Sequence, residues 1–153
     1  MIKFAVHNRF TGKTQFTAEI NCAENEDKSI KLALAVKWAI ENKADLRETD
    51  LRSANLRSAN LRETDLRSAD LRETDLRNAD LRYADLWRTD MRYLKTDKYE
   101  CYIQKEHLRI GCEYRAWEDW ENFNDKQISE MDEGALEWWN IWKPILIEIR
   151  KTI

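Results

Sequence analysis

ADLRETDLRSANLRSANLRETDLRSADLRETDLRNADLRYADLWRTDMRY, residues 44–93, decides how this chain folds. Cut every five residues, it yields ten units in unbroken register, an internal period that outranks every other signal in the sequence. The third position is Leu46, Leu51, Leu56, Leu61, Leu66, Leu71, Leu76, Leu81, Leu86 and then Met91, while the first is always Ala or Thr. Neither standard element accepts that period. Five residues advance an α-helix by roughly 500°, so the leucines would spiral around it and define no face. In a flat strand an odd period sends successive leucines to opposite sides. The chain must therefore turn once per unit, so that every leucine points to a common axis.

The outward positions are patterned as well. Each leucine is preceded by Asp or Asn and followed by Arg, except at Trp87. Those two flanking residues point the same way in an extended segment, which gives parallel columns of acid and guanidinium. An Arg column alone, at a spacing of about 4.8 Å, would repel by roughly 1 kcal/mol per neighbour even in water, and the Asp column beside it cancels that repulsion.

The A(D/N)LXX units resemble the pentapeptide-repeat proteins. That resemblance implies a mainly β fold, a right-handed quadrilateral β-helix with four units per coil. Ten units then make about two and a half coils, and residues twenty apart stack. Leu46 falls under Leu66 and Leu86, and Leu51 under Leu71 and Met91. The RFTGK hairpin, the LALAVKWAI helix and the closing stretch HLRIGCEYRAWEDW with MDEGALEWWNIWK extend the likeness to pentapeptide-repeat proteins encoded by bacteriophages and prophages.

Three segments are expected. Residues 1–43 read as a β-hairpin and a helix of about four turns that cap the first coil; residues 44–94 are the β-helix; residues 95–153 form a Trp-rich α+β unit. In that last segment YECYIQKEHLRIGCEYR reads as two strands, RAWEDWENF as a turn of helix, and DEGALEWWNIWKPILIEIRK as a helix kinked at Pro144. Only 3 Gly and 1 Pro in 153 residues argue against connections that depend on glycine turns. The three cysteines form no CxxC pair, no apolar run spans a bilayer, and no signal peptide is read, so the expected compartment is the cytoplasm of a bacterial host.

The net charge of -3 removes the general nucleic-acid binder, which carries a basic excess. It divides into +2 for residues 1–43, -1 for the ladder and -4 for the tail. The gyrase-inhibiting members of the resembled family imitate DNA through a strongly negative surface, and a ladder at -1 disfavours that role. No phosphate loop, HExxH or GxSxG motif is present, and His107 with Cys112 and Cys101 makes a thin metal or nucleophile set. The expectation is a protein that is no enzyme and needs no cofactor or metal.

The repeat departs from its own consensus at Tyr83, Trp87, Arg88 and Tyr93. With Arg92 and the tail residues Trp117 and Trp120, these make the candidate binding surface, because Trp, Tyr and Arg concentrate interface energy. The alternatives are that the C-terminal unit folds back over the corner residues, and that the tail tryptophans are core or a dimer contact. Function is expected to be binding and inhibition of a bacterial host protein in antiviral defence, with a DNA mimic acting on gyrase or topoisomerase and a sponge for an anionic nucleotide signal as alternatives. A homodimer is expected on the short ladder, the tryptophans and family precedent.

Overall fold

The five-residue period is met by a turn at every fifth residue. Glu48, Ser53, Ser58, Glu63, Ser68, Glu73, Asn78, Tyr83 and Arg88 all have φ between 57° and 62°, in the left-handed region. Between these nine corners the walls pair in parallel at an offset of twenty: Asp50 with Asp70, Asn55 with Asp75, Asn60 with Asp80 and Asp65 with Asp85. Each rung bonds both ways, for example Leu51 N–H to Asp70 O (3.0 Å) and Asp70 N–H to Thr49 O (2.8 Å). Leu46 through Leu81 are buried along the axis, and Leu86 is half-buried. Threonine shares the interior with alanine because its hydroxyl finds a carbonyl: Thr49 donates to Leu46 O at 2.6 Å and Thr89 to Leu86 O at 2.7 Å.

The computed structural model describes residues 1–153, and these group into two units, Met1–Asp90 and Met91–Ile153. The tenth repeat, Thr89 to Tyr93, does not turn. Its chain runs from Met91 into a strand of the second unit, so nine units coil rather than ten. The hairpin and helix read as a separate segment group with the ladder.

In the first unit β1 (Ile2–His7) and β2 (Thr14–Ile20) pair antiparallel, as the alternation in IKFAV and TQFTAEI requires. Helix α1 (Lys28–Asn42) starts where Asp27 accepts from Ser29 N–H and stops at Lys43, which turns left-handed. It buries Leu32, Ala35, Val36 and Ala39, the i, i+3, i+4, i+7 stripe. Both elements satisfy the open edge of the first coil. Asp50 N–H donates to His7 O (2.8 Å), Arg9 N–H to Glu48 O (2.7 Å) and Asn55 N–H to Ser29 O (3.1 Å).

The second unit is an antiparallel meander, β3 (Met91–Lys95), β4 (Glu100–Gln104), β5 (His107–Ile110) and β6 (Glu113–Ala116), followed by α2 (Trp117–Asn122), α3 (Asp125–Ser129) and α4 (Ala135–Arg150). Residues 99–115 thus hold three strands rather than two, because IGCE turns as well as QKEH; Gly111 supplies a left-handed residue (φ 57°) for the second of these two-residue turns. Helix α3, absent from the sequence reading, begins at a capping box between Asn124 and Gln127. Helix α4 runs without interruption through Pro144. The core gathers Ile103, Leu108, Ile110, Ile128, Leu146 and the tryptophans 117, 120, 138 and 139. With four helices and six strands the chain is mixed α+β, not mainly β, since the ladder walls pair through single-residue bridges. No helix is long and apolar enough to cross a membrane.

Candidate functional site

The second position of each repeat does two things at once. Its side-chain oxygen accepts the backbone N–H two residues on, as in Asp50 to Arg52 (3.2 Å), Asn55 to Arg57 (3.3 Å) and Asn60 to Arg62 (3.2 Å). That bond fixes the approach to the corner, and Asn provides it as well as Asp. Where the residue is Asp, its carboxylate also takes a two-pronged bond from the arginine: Arg52 Nε and Nη2 lie 2.9 and 2.7 Å from Asp50, and Arg72 and Arg82 repeat the pattern on Asp70 and Asp80. The side-chain bonds from arginine hold Asp45, Asp50, Asp65, Asp75 and Asp80 below the ordinary carboxylate range, Asp80 at about 2. The columns are also linked between coils, with Arg52 Nε 3.5 Å from Asp70 and Arg67 Nε 3.5 Å from Asp85.

Arg9, from the hairpin turn, reaches across this wall. Its Nη1 donates to Ser68 O (3.2 Å) and Ala69 O (3.1 Å), and its guanidinium pairs with Asp70 (3.9 Å) and Asp90 (3.1 Å). Asp70 is only 2% exposed as a result. Burial pushes its carboxyl upward most strongly, yet bonds from Arg72 and the charges of Arg9 and Arg72 leave it below its ordinary value.

A different surface appears where the charge lattice stops. Trp87 occupies the arginine position on the wall shared with Arg47 and Arg67, and Arg88 occupies the corner above Glu48 and Ser68. Trp87 is 61% exposed and Tyr83, at the preceding corner, 80%. Arg88 stacks on the Trp87 ring, its Cζ 4.4 Å from the centroid, and has no ion-pair partner. Trp87 and Arg88 flank a polar groove of about 290 Å³ with Arg47, Arg67, Glu48 and Gln15; Gln15 Nε2 donates to Arg47 O at 2.8 Å.

Family comparison agrees with the geometry. The model described as "Pentapeptide repeats" matches residues 39–67 and 59–92 with eight copies. Over these residues, about a third of the chain, the sequence is similar to pentapeptide repeats, and the coil itself begins after α1 ends at Asn42. The pentapeptide-repeat family implies a quadrilateral β-helix, which the twenty-residue pairing offset repeats in this chain. No curated protein and no solved structure matches the chain.

The seven residues expected to bind do not form one surface. Tyr83, Trp87 and Arg88 belong to the pentapeptide-repeat ladder. Tyr93 lies on β3, 5.1 Å from Tyr102, and Arg92 donates to Met91 O (3.1 Å) and Thr152 O (3.3 Å) within the second unit. Trp117 and Trp120 are core residues, 1% and 2% exposed, and are removed from the candidate surface. Their indole N–H groups donate inward, to Gln104 O (2.9 Å) and Leu108 O (3.0 Å). Tryptophan density in a sequence does not separate these two fates, because a buried indole needs only one carbonyl. Arg9 and Gln15 belong to the hairpin and carry no repeat signal in the sequence that marks them as ladder contacts.

The cysteine and histidine set is dispersed. Cys101 is buried, its thiol pushed up to about 12 by burial, and it faces Ile110 in the sheet register. His107 stacks on Tyr114 with centroids 5.1 Å apart, and Cys112 is exposed. No group of three or more His, Cys, Asp or Glu is placed to hold a metal ion.

Proposed function

We propose that this protein is a non-enzymatic interaction protein whose pentapeptide-repeat ladder presents Tyr83, Trp87 and Arg88 to a partner protein and inhibits it. One observation carries the reading: two large aromatic side chains stand 80% and 61% exposed on the ladder, at positions where the other coiled repeats have Ser, Glu, Asn or Arg. A rigid β-helix presents them at little entropic cost, and an exposed aromatic beside an unpaired guanidinium is the composition of an interface hot spot. The sequence resemblance to phage and prophage pentapeptide-repeat proteins directs the search to a bacterial host protein and to antiviral defence. A homodimer, read from sequence, belongs to the same proposal and is checked by light scattering.

The test compares wild type with the double variant Tyr83→Ser, Trp87→Arg, which restores the consensus. Stability should change by less than about 0.5 kcal/mol, since both positions are exposed. A bacterial protein that binds wild type saturably should be lost by the variant, and inhibition with it. Equal retention would remove the corner from the reading; no saturable partner at all would remove the function. Imitation of DNA is less well supported, because the ladder aspartates are paired with arginine instead of forming an acidic face. Gyrase supercoiling is expected to proceed unchanged at excess protein. A nucleotide sponge would use Arg88 and Trp87, but the groove's other guanidinium groups, Arg47 and Arg67, are already paired with Asp45 and Asp65, which leaves Glu48 opposing the one remaining cation. Equilibrium dialysis against cyclic dinucleotides is expected to show no retention.

A further inference from the structure

The second unit contains a half-enclosed cavity of about 150 Å³, walled by Tyr99, Trp120, Ile128, Met131, Trp138 and Trp139. It lies within residues 99–139, so it is independent of the reading given to the ladder corner. Its walls are rings held by their own contacts. Tyr99 meets Trp138 edge-on at 4.9 Å, and Trp120 and Trp139 are tilted at 5.4 Å. Several of the polar groups around it are already engaged, and the exposed lining is mostly apolar. Tyr99 Oη donates to Asp132 (2.7 Å), which also pairs with Lys98 (3.4 Å); Trp138 Nε1 donates to Thr96 Oγ1 (3.1 Å), Trp120 Nε1 to Leu108 O (3.0 Å), and Glu113 pairs with Arg115 (2.6 Å).

Size and chemistry together restrict the occupant. Sites for drug-sized ligands run from about 300 to 1,000 Å³, whereas an apolar cavity of about 150 Å³ holds one benzene ring. Engaged wall groups give a polar solute little to replace the water it loses, while ring edges and faces suit another ring. We propose that this cavity is a binding site for a free small molecule consisting of one apolar aromatic ring, of benzene to toluene size.

Toluene is the probe, added to the full chain. It should raise the melting temperature saturably and shift tryptophan emission, and nuclear Overhauser contacts should run from its methyl group to the indole protons of Trp138 and Trp139. In Ala135→Leu, which extends a side chain into the cavity from its lining, the dissociation constant should rise by at least about tenfold. If that variant does not fold, Met131→Phe makes the same test from a half-buried position. The proposal is overturned if wild type shows no saturable response or no indole contacts, or if a folded cavity-filling variant responds equally.

Discussion

At each corner of the ladder a residue other than glycine is held at positive φ, and only Asn78 belongs to a type that readily accepts it. Glutamate, serine, tyrosine and arginine occupy the others because the surrounding bonds define the turn. The residue at position two accepts the N–H at position four, and at Glu48, Ser53, Ser58, Glu63 and Ser68 the corner N–H also donates to the next coil, as Ser58 does to Arg77 O at 2.8 Å. Strain of this kind persists where neighbours over-determine it. Ser58→Asn should therefore leave stability within about 0.5 kcal/mol of wild type or raise it, while Ser58→Val, with a branched Cβ, should cost about 1–3 kcal/mol; urea denaturation checks both. On the axis, Leu66 is fully buried. Leu66→Ala should cost about 2–5 kcal/mol, and Leu66→Arg should abolish folding by burying an unpaired charge; a cooperative melt of the arginine variant near wild type would contradict the register.

At the scale of elements, the hairpin does more than cover an open end. Its strand supplies backbone partners to the first coil, and Arg9 pairs with aspartates of the next two rungs, Asp70 and Asp90. Arg9→Ala removes two carbonyl bonds and a cation beside a buried carboxylate, a loss of about 2 kcal/mol. It should also raise the Asp70 carboxyl, and an NMR titration of that side chain distinguishes this from a general loosening. In Arg9→Ala with Asp70→Asn the penalty should be smaller than the sum of the two single changes, because the orphaned charge is gone.

For the molecule as a whole, the ladder aspartates set the response to acid. Their folded-state values lie below the ordinary aspartate value of about 4, so the unfolded chain takes up protons first as pH falls. The stability they contribute is complete above about pH 5 and is lost between about pH 4 and the folded-state values, about 2 for Asp80. Melting temperatures measured from pH 7 to 2 should be flat and then fall within that window. A maximum near pH 4 would show that the Asp and Arg bonds contribute nothing.

Period, spacing and side-chain size were enough to determine the ladder: no helix or flat strand buries one leucine in every five, so the chain had to turn and stack at twenty. The N-terminal hairpin and helix were equally legible, because alternation and a 3.6-residue stripe are local properties. Three decisions needed tertiary structure. The last repeat, TDMRY, keeps the motif, yet Met91–Lys95 pairs with Glu100–Gln104, since a long antiparallel partner outweighs another corner. Trp117 and Trp120 became core while Trp87 became surface, according to whether a carbonyl and an apolar wall stood within reach of the indole. Arg9, one cation among many in the sequence, acquired its role only when folding brought two aspartates twenty residues apart beneath it.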